Sequence, residues 1–299
     1  MKNYISKNCA RYIPVGYSAA DVRAILLDSW NYMQCTTTGD MGDASRVDLF
    51  ALNSYSWCGN ATYTSSGYDV LTESFKDSSV PVFLSEYGCN EVVGARPWSE
   101  IPSLYGDEMA ATMSGGVVYE WTQEANNYGL VELESSGDMV LMENFQNLQN
   151  QLAALDIASL QSSPGRNKAV NPPDCTADLI QNSTFPTNFT LPATPSGAAS
   201  LIEDGLTGAN QGKLITITNL TPSQKVEDHT GAAVSAKIVP VADGEVNTAT
   251  RTGNGGPSAG SATTSGSASA SSSKAAGVEN MVVGKGAVVL GALGLLLSL

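Results

Sequence analysis

An α/β fold built on a parallel sheet is what residues 1–157 predict, and three observations predict it. Apolar, β-rich runs begin at Tyr12 (YIPVGYS), Val47 (VDLFALNSY), Val80 (VPVFLSEYG) and Gly115 (GGVVYEW), so their starts fall about 35 residues apart. That is the length of a strand plus its crossover helix. Helical patterns fill the intervals, and the near-continuous apolar character of the runs indicates a sheet covered on both faces.

Each element has its own justification. AADVRAILLDSWNYM (19–33) places Val22, Ile25, Leu26 and Trp30 on one helical face. SEIPSLYGDEMAATM (99–113) is read as a second helix, opened by Ser99 as its cap. MENFQNLQNQLAAL (142–155) is a third, after the last strand. Right-handed crossovers then leave two architectures, an open α/β sheet or part of a (β/α)8 TIM barrel. The strand ends separate them. The runs finish in Tyr17 and Ser18, in Asn53, Tyr55 and Trp57, in Glu86 and Tyr87, and in Tyr119, Trp121 and Gln123. A barrel gathers such groups at its C-terminal mouth, where aromatic rings suit the C–H faces of sugars. No glycine-rich phosphate loop follows any strand, so the dinucleotide-binding fingerprint is missing.

The stretch PVFLSEYGCN (81–90) runs a buried strand straight into Glu86 and stops it with Gly88. Two readings stand on the residues alone. Glu86 is a rigidly held carboxylate aimed into the mouth, as a glycosidase nucleophile must be, or it is an ion-paired glutamate at a strand end.

A net charge of −14 and a pI near 4.3 argue against nucleic-acid partners and against anionic membrane surfaces, leaving neutral glycans open. Five cysteines contain no CxxC pair and His229 is the sole histidine, so no metal site and no cofactor is expected. Sequons at Asn60, Asn182, Asn188 and Asn219, together with the cysteines, lean toward the secretory route.

All four tryptophans and all eleven tyrosines precede residue 158, which sets the domain division. Residues 158–250 are expected to form a small β-rich appendage and linker, with β-like runs at 213–220 and 236–242. Residues 251–277 are a Gly/Ser/Thr/Ala-rich stalk expected to be disordered. Residues 278–299 end in AVVLGALGLLLSL, too short for a comfortable membrane span and without a basic stop-transfer cluster. Small residues at Ser271, Ser272, Ser273, Ala275 and Ala276, then a spacer and an apolar tail, fit a GPI-attachment signal; a weak tail anchor is the alternative. The N-terminus lacks the apolar run and cleavage site of a signal peptide. A chain with the exit signal and no entry signal is expected to be missing its beginning.

The segments IPVGYS, NSYSWCGNATYTSSGY, PVFLSEYGCN, PSLYGDEMAATMSGGVVYEW and EANNYGLV resemble, in order from about residue 4 to 155, the second half of the catalytic domain of fungal β-1,3-glucanosyltransferases, glycoside hydrolase family 72. The resemblance implies about the fifth to eighth βα units of a TIM barrel and a retaining transglycosylation that cleaves and elongates β-1,3-glucan. It implies donor and acceptor glucan chains as partners, and a plasma-membrane or cell-wall location through a GPI anchor. Glu86 falls on the family's nucleophile, at the end of the seventh strand. Tyr55 and Tyr119 fall on tyrosines near it, and Asn53 and Tyr17, at neighbouring strand ends, are candidate substrate contacts. The resemblance also implies the pairs Cys58–Cys89 and Cys35–Cys175, leaving Cys9 over.

Departures accompany the match. The family's acid/base glutamate lies in an Asn-Glu pair ending the fourth strand, and this chain begins near the fifth. Asn90-Glu91 follows the nucleophile strand and is in the wrong place. Glu120 alternates with Tyr119 and Trp121, which points it away from the barrel interior, and Glu124 lies in a loop. The loop EVVGARPW (91–98) is one residue longer and less basic than usual, and Trp121 and Thr122 stand where other aromatics are common. Only Cys175 lies beyond residue 89, so the cysteine-rich carbohydrate-binding module of some members is not expected. Two functions follow: a glucanosyltransferase, or a catalytically inactive glucan-binding surface protein.

Overall fold

The computed structural model describes residues 1–162, 169–208 and 216–238. Helix α1 (Lys2–Asn8) leads into β1 (Gly16–Ala20), α2 (Arg23–Gln34), β2 (Leu49–Asn53), α3 (Tyr68–Phe75), β3 (Val82–Tyr87), α4 (Ile101–Leu104) and β4 (Met113–Val118). The four strands pair in parallel in the order β1-β2-β3-β4. This is the expected α/β architecture, a run of consecutive βα units from a (β/α)8 barrel. A hairpin of β5 (Val131–Leu133) and β6 (Met139–Leu141) follows, then α5 (Glu143–Ala153), α6 (Ile157–Ser162), α7 (Ala198–Asp204) and β7 (Val226–Asp228).

The pleat sorts the strands into two unlike faces. Phe50, Leu52, Val82 and Leu84 are fully buried toward the helices, where Leu26, Leu71, Ile101 and Leu104 close the layer. The other face is half-open: Phe83, Ser85 and Asn53 are partly buried and Ser18 is exposed. Among the described residues, the helix face is the one closed by packed side chains.

Helix α3 was not anticipated, although Tyr68, Leu71 and Phe75 lie at i, i+3 and i+7 and are all buried. Conversely, the helix expected over 99–113 is four residues long. Gly106 presses against Pro102, where an added Cβ would fall 2.2 Å from the carbonyl oxygen, and the chain continues in turns. Ser99 does not cap this helix, whose N-cap is Glu100; its hydroxyl accepts from Trp57 Nε1 (2.8 Å) and donates to Gly59 O.

The segment beyond the barrel is tied back onto it at four places. Cys35–Cys175 is a disulfide, flanked by backbone hydrogen bonds from Thr36 N to Pro173 O and from Cys175 N to Thr36 O. The buried Asp28 carboxylate accepts from the backbone N–H groups of Gln181 (2.8 Å) and Asn182 (3.0 Å), and Tyr32 stacks on Phe189 at 4.9 Å. Helix α7 docks on α1 through Lys7–Glu203 and a hydrogen bond from Asn8 to Ile202 O. Strand β7 extends the β5–β6 hairpin. Among the described residues of 158–250, β7 is the one strand: residues 216–220 and 236–238 of the two expected β-runs form none, and the rest of those runs lies outside the described residues. So do the stalk at 251–277 and the tail at 278–299. No described helix is long and apolar enough to cross a membrane.

Cys35–Cys175 spans 140 residues. In the chain-entropy account such a loop contributes roughly 5 kcal/mol. Replacing both cysteines by serine is expected to lower the urea midpoint and to expose residues 171–190 to limited proteolysis before the barrel segment is cut.

Candidate active site

β3 carries the site because its register slips as it leaves the sheet. Leu52 faces Leu84, but Asn53 faces Glu86, so one extra residue has entered β3. Such a shift re-aims the side chains beyond it. Glu86 thereby meets the loop after β2, where the Tyr55 hydroxyl donates to Glu86 Oε2 at 2.6 Å. Ser54 N donates to Glu86 O at 2.9 Å and fixes the backbone of the two strand ends against each other.

Three half-buried tyrosines cluster at this end of the sheet, Tyr55 among them in contact with the carboxylate. Ring centroids lie 6.2 Å apart for Tyr55–Tyr119, 5.5 Å for Tyr55–Tyr128 and 5.3 Å for Tyr119–Tyr128, all edge-to-face. That is the favoured aromatic arrangement. Burial, followed by the hydrogen bond to Glu86 and the charge of Glu86, pushes the Tyr55 phenol well above its ordinary range. Tyr55 therefore stays a donor at any ordinary pH. Beneath the mouth, Ser85 Oγ donates to Asn53 Oδ1 (2.7 Å) and shares a 2.6 Å hydrogen bond with Ser18 Oγ.

The structure thus brings Glu86, Tyr55, Tyr119 and Asn53 to one end of the sheet. It does not bring Tyr17 there. Tyr17 faces Phe50 in register and packs 6.1 Å from its ring, on the helix side, while Ser18 points to the mouth. The reason is the period of two along a strand. Tyr128 was not singled out from the sequence; its one signal was a place in the EANNYGLV segment. Glu91 and Glu124 are exposed, and Glu120 is half-buried with Oε1 buried and without a hydrogen-bond partner. Asn90 donates to Asn126 O.

Cys58–Cys89 is the second disulfide and joins the loops after β2 and β3; Cys9 is free and half-buried. Glu91 lies near both bridged sulfurs, which as a disulfide are not available as thiolate ligands. Of the sequons, Asn60, Asn188 and Asn219 are exposed, whereas Asn182 is half-buried and donates to Ala24 O at 3.1 Å.

Gly88 closes the strand for a steric reason. Its φ is +114°, and a Cβ would fall 2.5 Å from the Trp98 ring. Behind it lies Glu100, 4% exposed, whose carboxyl burial pushes up to about 7.

A strand-end glutamate hydrogen-bonded to one of a cluster of tyrosines, on consecutive βα units, is an arrangement suited to carbohydrate chemistry. Residues 1–156 match the family described as glucanosyltransferase, glycoside hydrolase family 72, and the chain belongs to it. It is 49% identical over 249 residues to the 1,3-beta-glucanosyltransferase gel2 of Aspergillus fumigatus, covering 83% of this chain and 51% of that one. It is 42% identical to the probable 1,3-beta-glucanosyltransferase GAS3 of Saccharomyces cerevisiae, over 72% of this chain and 42% of that one. The crystal structure of Saccharomyces cerevisiae Gas2p with laminaritriose and laminaritetraose superposes with a TM-score of 0.53 at 33% identity, over 66% of this chain and 43% of that one. The chain spans about half, or less, of the length of the relatives it matches.

Glu100 generates a pH prediction. Its folded pKa lies above the unfolded value, so the native state holds its proton more tightly. The stability this confers is complete below about pH 4 and is lost as pH rises toward 7. Glu100→Gln is expected to remove that decline, on the order of 3 kcal/mol, read from urea unfolding at pH 4.5 and 8.

Proposed function

We propose that this chain carries the nucleophile half of a β-1,3-glucanosyltransferase site acting with retention. The observation that supports it most is the 2.6 Å hydrogen bond between Tyr55 and Glu86 inside the tyrosine cluster. Glu86 attacks the anomeric carbon of a β-1,3-glucan and forms a glycosyl-enzyme as the leaving glucan departs with a proton from a separate acid, which none of Glu86, Tyr55, Tyr119 and Asn53 supplies. A hydroxyl of an acceptor glucan then displaces Glu86, returns its proton to that same group and restores the β configuration. Tyr55 holds the carboxylate in place, and Tyr119 and Asn53 contact the sugars. The aromatic walls favour a sugar acceptor over water.

Retention requires a second carboxyl about 5–5.5 Å from the nucleophile to protonate the leaving oxygen. Carboxyls at that separation do not hydrogen-bond to each other, so the Tyr55 bond to Glu86 fits either case. The tyrosine cluster offers sugar-stacking faces with or without that acid, which is the ground for a second reading, a glucan-binding surface protein without turnover. Incubating the chain with laminari-oligosaccharides of one length separates the two. Products longer than the substrate, lost in Glu86→Gln with oligosaccharide binding retained, are the expected result for the transferase. Binding without longer products supports the second reading, and longer products from a folded Glu86→Gln variant overturn the role of Glu86.

The location that goes with either reading is the cell surface, through a GPI anchor attached within 271–276. The small residues there and the apolar tail support it. A phosphatidylinositol-specific phospholipase is expected to release the protein from fungal membranes. Recovery of the peptide ending at Leu299 from the mature surface protein would contradict the anchor.

A further inference from the structure

The residue that holds the mouth together is a cation that makes no contact with Glu86. Arg96 is 2% exposed, and its guanidinium donates to four backbone carbonyls. Nη1 reaches Gly88 O at 3.1 Å and Tyr119 O at 2.9 Å; Nη2 reaches Tyr128 O, and Gly129 O at 3.3 Å. These carbonyls belong to three separate stretches: the turn that ends the Glu86 strand, the end of β4, and the loop before β5. The guanidinium plane lies over the Trp98 ring, 4.2 Å from its centroid. The Arg96 backbone is itself gripped by α5, with Arg96 N donating to Asn144 Oδ1 (2.8 Å) and Asn147 Nδ2 donating to Arg96 O (3.1 Å).

We infer that Arg96 is a positioning residue: its planar fork sets the spacing of the three stretches that carry Glu86, Tyr119 and Tyr128. The meaning of those three residues as a sugar site rests on the function proposed above. Four carbonyls aimed at one point repel each other unless a delocalised cation lies between them, and burial makes their desolvation costly if it is removed. Among the described residues no carboxylate lies within ion-pair distance of Arg96; Glu100 and Glu120 act on it through charge, and its side-chain hydrogen bonds go to the carbonyls. Lysine keeps the charge but presents three donors on one nitrogen, and cannot span the four oxygens.

The test uses the full chain with 3-fluorotyrosine in place of tyrosine, each ¹⁹F signal assigned by a Tyr→Phe variant. In Arg96→Lys the Tyr119 and Tyr128 signals are expected to shift or broaden. The Tyr32 signal stays, since that ring packs on Phe189 and touches none of the three stretches. Arg96 Cζ also lies 5.9 Å over the Tyr128 ring, so the Tyr128 signal follows the cation itself, whereas a role limited to filling space or supplying charge leaves Tyr119 and Tyr32 in place. An unmoved Tyr119 signal in folded Arg96→Lys overturns the inference, as does a shift shared equally by Tyr32. Should Arg96→Lys lose its dispersed spectrum, Asn147→Ala is read instead; it removes only the grip on the Arg96 carbonyl. The same two signals are expected to move, and their constancy overturns the inference. Titration with laminaripentaose completes the test. Half-saturation is expected to rise on the order of tenfold in Arg96→Lys, the loss of one or two good hydrogen bonds. A wild-type spectrum unmoved by laminaripentaose counts against the glucan reading, while the ligand-free spectra still decide the positioning role.

Discussion

The packing of Trp98 against the end of β3 is the constraint from which the site follows. The indole occupies the space a side chain at residue 88 would need, so the strand ends in a glycine with φ +114°. No other residue adopts that backbone at so little cost. The turn this creates brings Cys89 to within bonding distance of Cys58 and presents the Gly88 carbonyl to Arg96. It also halts β3 just after the register shift, so that Glu86 leaves the sheet facing Asn53 and Tyr55. The glycine after the carboxylate is a consequence of the aromatic plug behind it. A second close approach repeats the logic on β4. Gly116 leaves room for the Tyr87 ring, whose atoms would lie 2.8 Å from a Cβ, and the Tyr105 hydroxyl bonds to both the N–H and the carbonyl of Gly116.

The outer side of the sheet depends on a different device. Helix α2 buries Leu26 and Trp30 inward, while Asp28, Tyr32 and Cys35 engage the strap at 171–190. A buried aspartate is costly unless its oxygens are satisfied. Here two consecutive backbone N–H groups satisfy it, which gives the strap one docking register. The strap is therefore part of the barrel's surface in this region. The Asn182 sequon lies within this contact, its amide already engaged by Ala24, whereas Asn188 leaves its side chain at the surface.

How much of this was legible depended on whether the cause was local. The strands were legible because four apolar runs share one spacing. The strand-end pattern placed Glu86, Tyr55 and Tyr119 at the mouth, but left Glu86 open between two readings, and the roles came from the family resemblance. For Tyr17 the pattern failed, because adjacent residues on a strand point to opposite faces and the sequence does not mark which one turns inward. Helix α3 had its stripe at Tyr68, Leu71 and Phe75, but it begins after a glycine with φ +74° in a Ser/Thr-rich loop that reads as a turn. Tyr128 lies in a loop without periodicity. Arg96 was invisible for a more general reason: its partners are backbone carbonyls, which every residue has, drawn from three segments up to 33 positions away.

The two faces of the sheet explain why a site of this kind belongs on this side. On the helix side, Phe50, Leu52, Val82 and Leu84 leave no polar group in need of a partner, and burial there supplies the stability. On the mouth side, hydrogen bonds of 2.6 Å between Ser18 and Ser85 and of 2.7 Å from Ser85 to Asn53 tie three strands together through their side chains. Hydroxyl and amide groups held this way keep capacity for further hydrogen bonds. The tyrosine walls above them supply the apolar faces that hydroxyls do not, and Glu86 enters between the two, fixed from below by the strand and from the side by Tyr55. Polarity beneath, aromatic rings beside it and one oriented carboxylate between them make up this end of the sheet. Each is set by a backbone feature of β2 or β3, or of the loops that Arg96 joins.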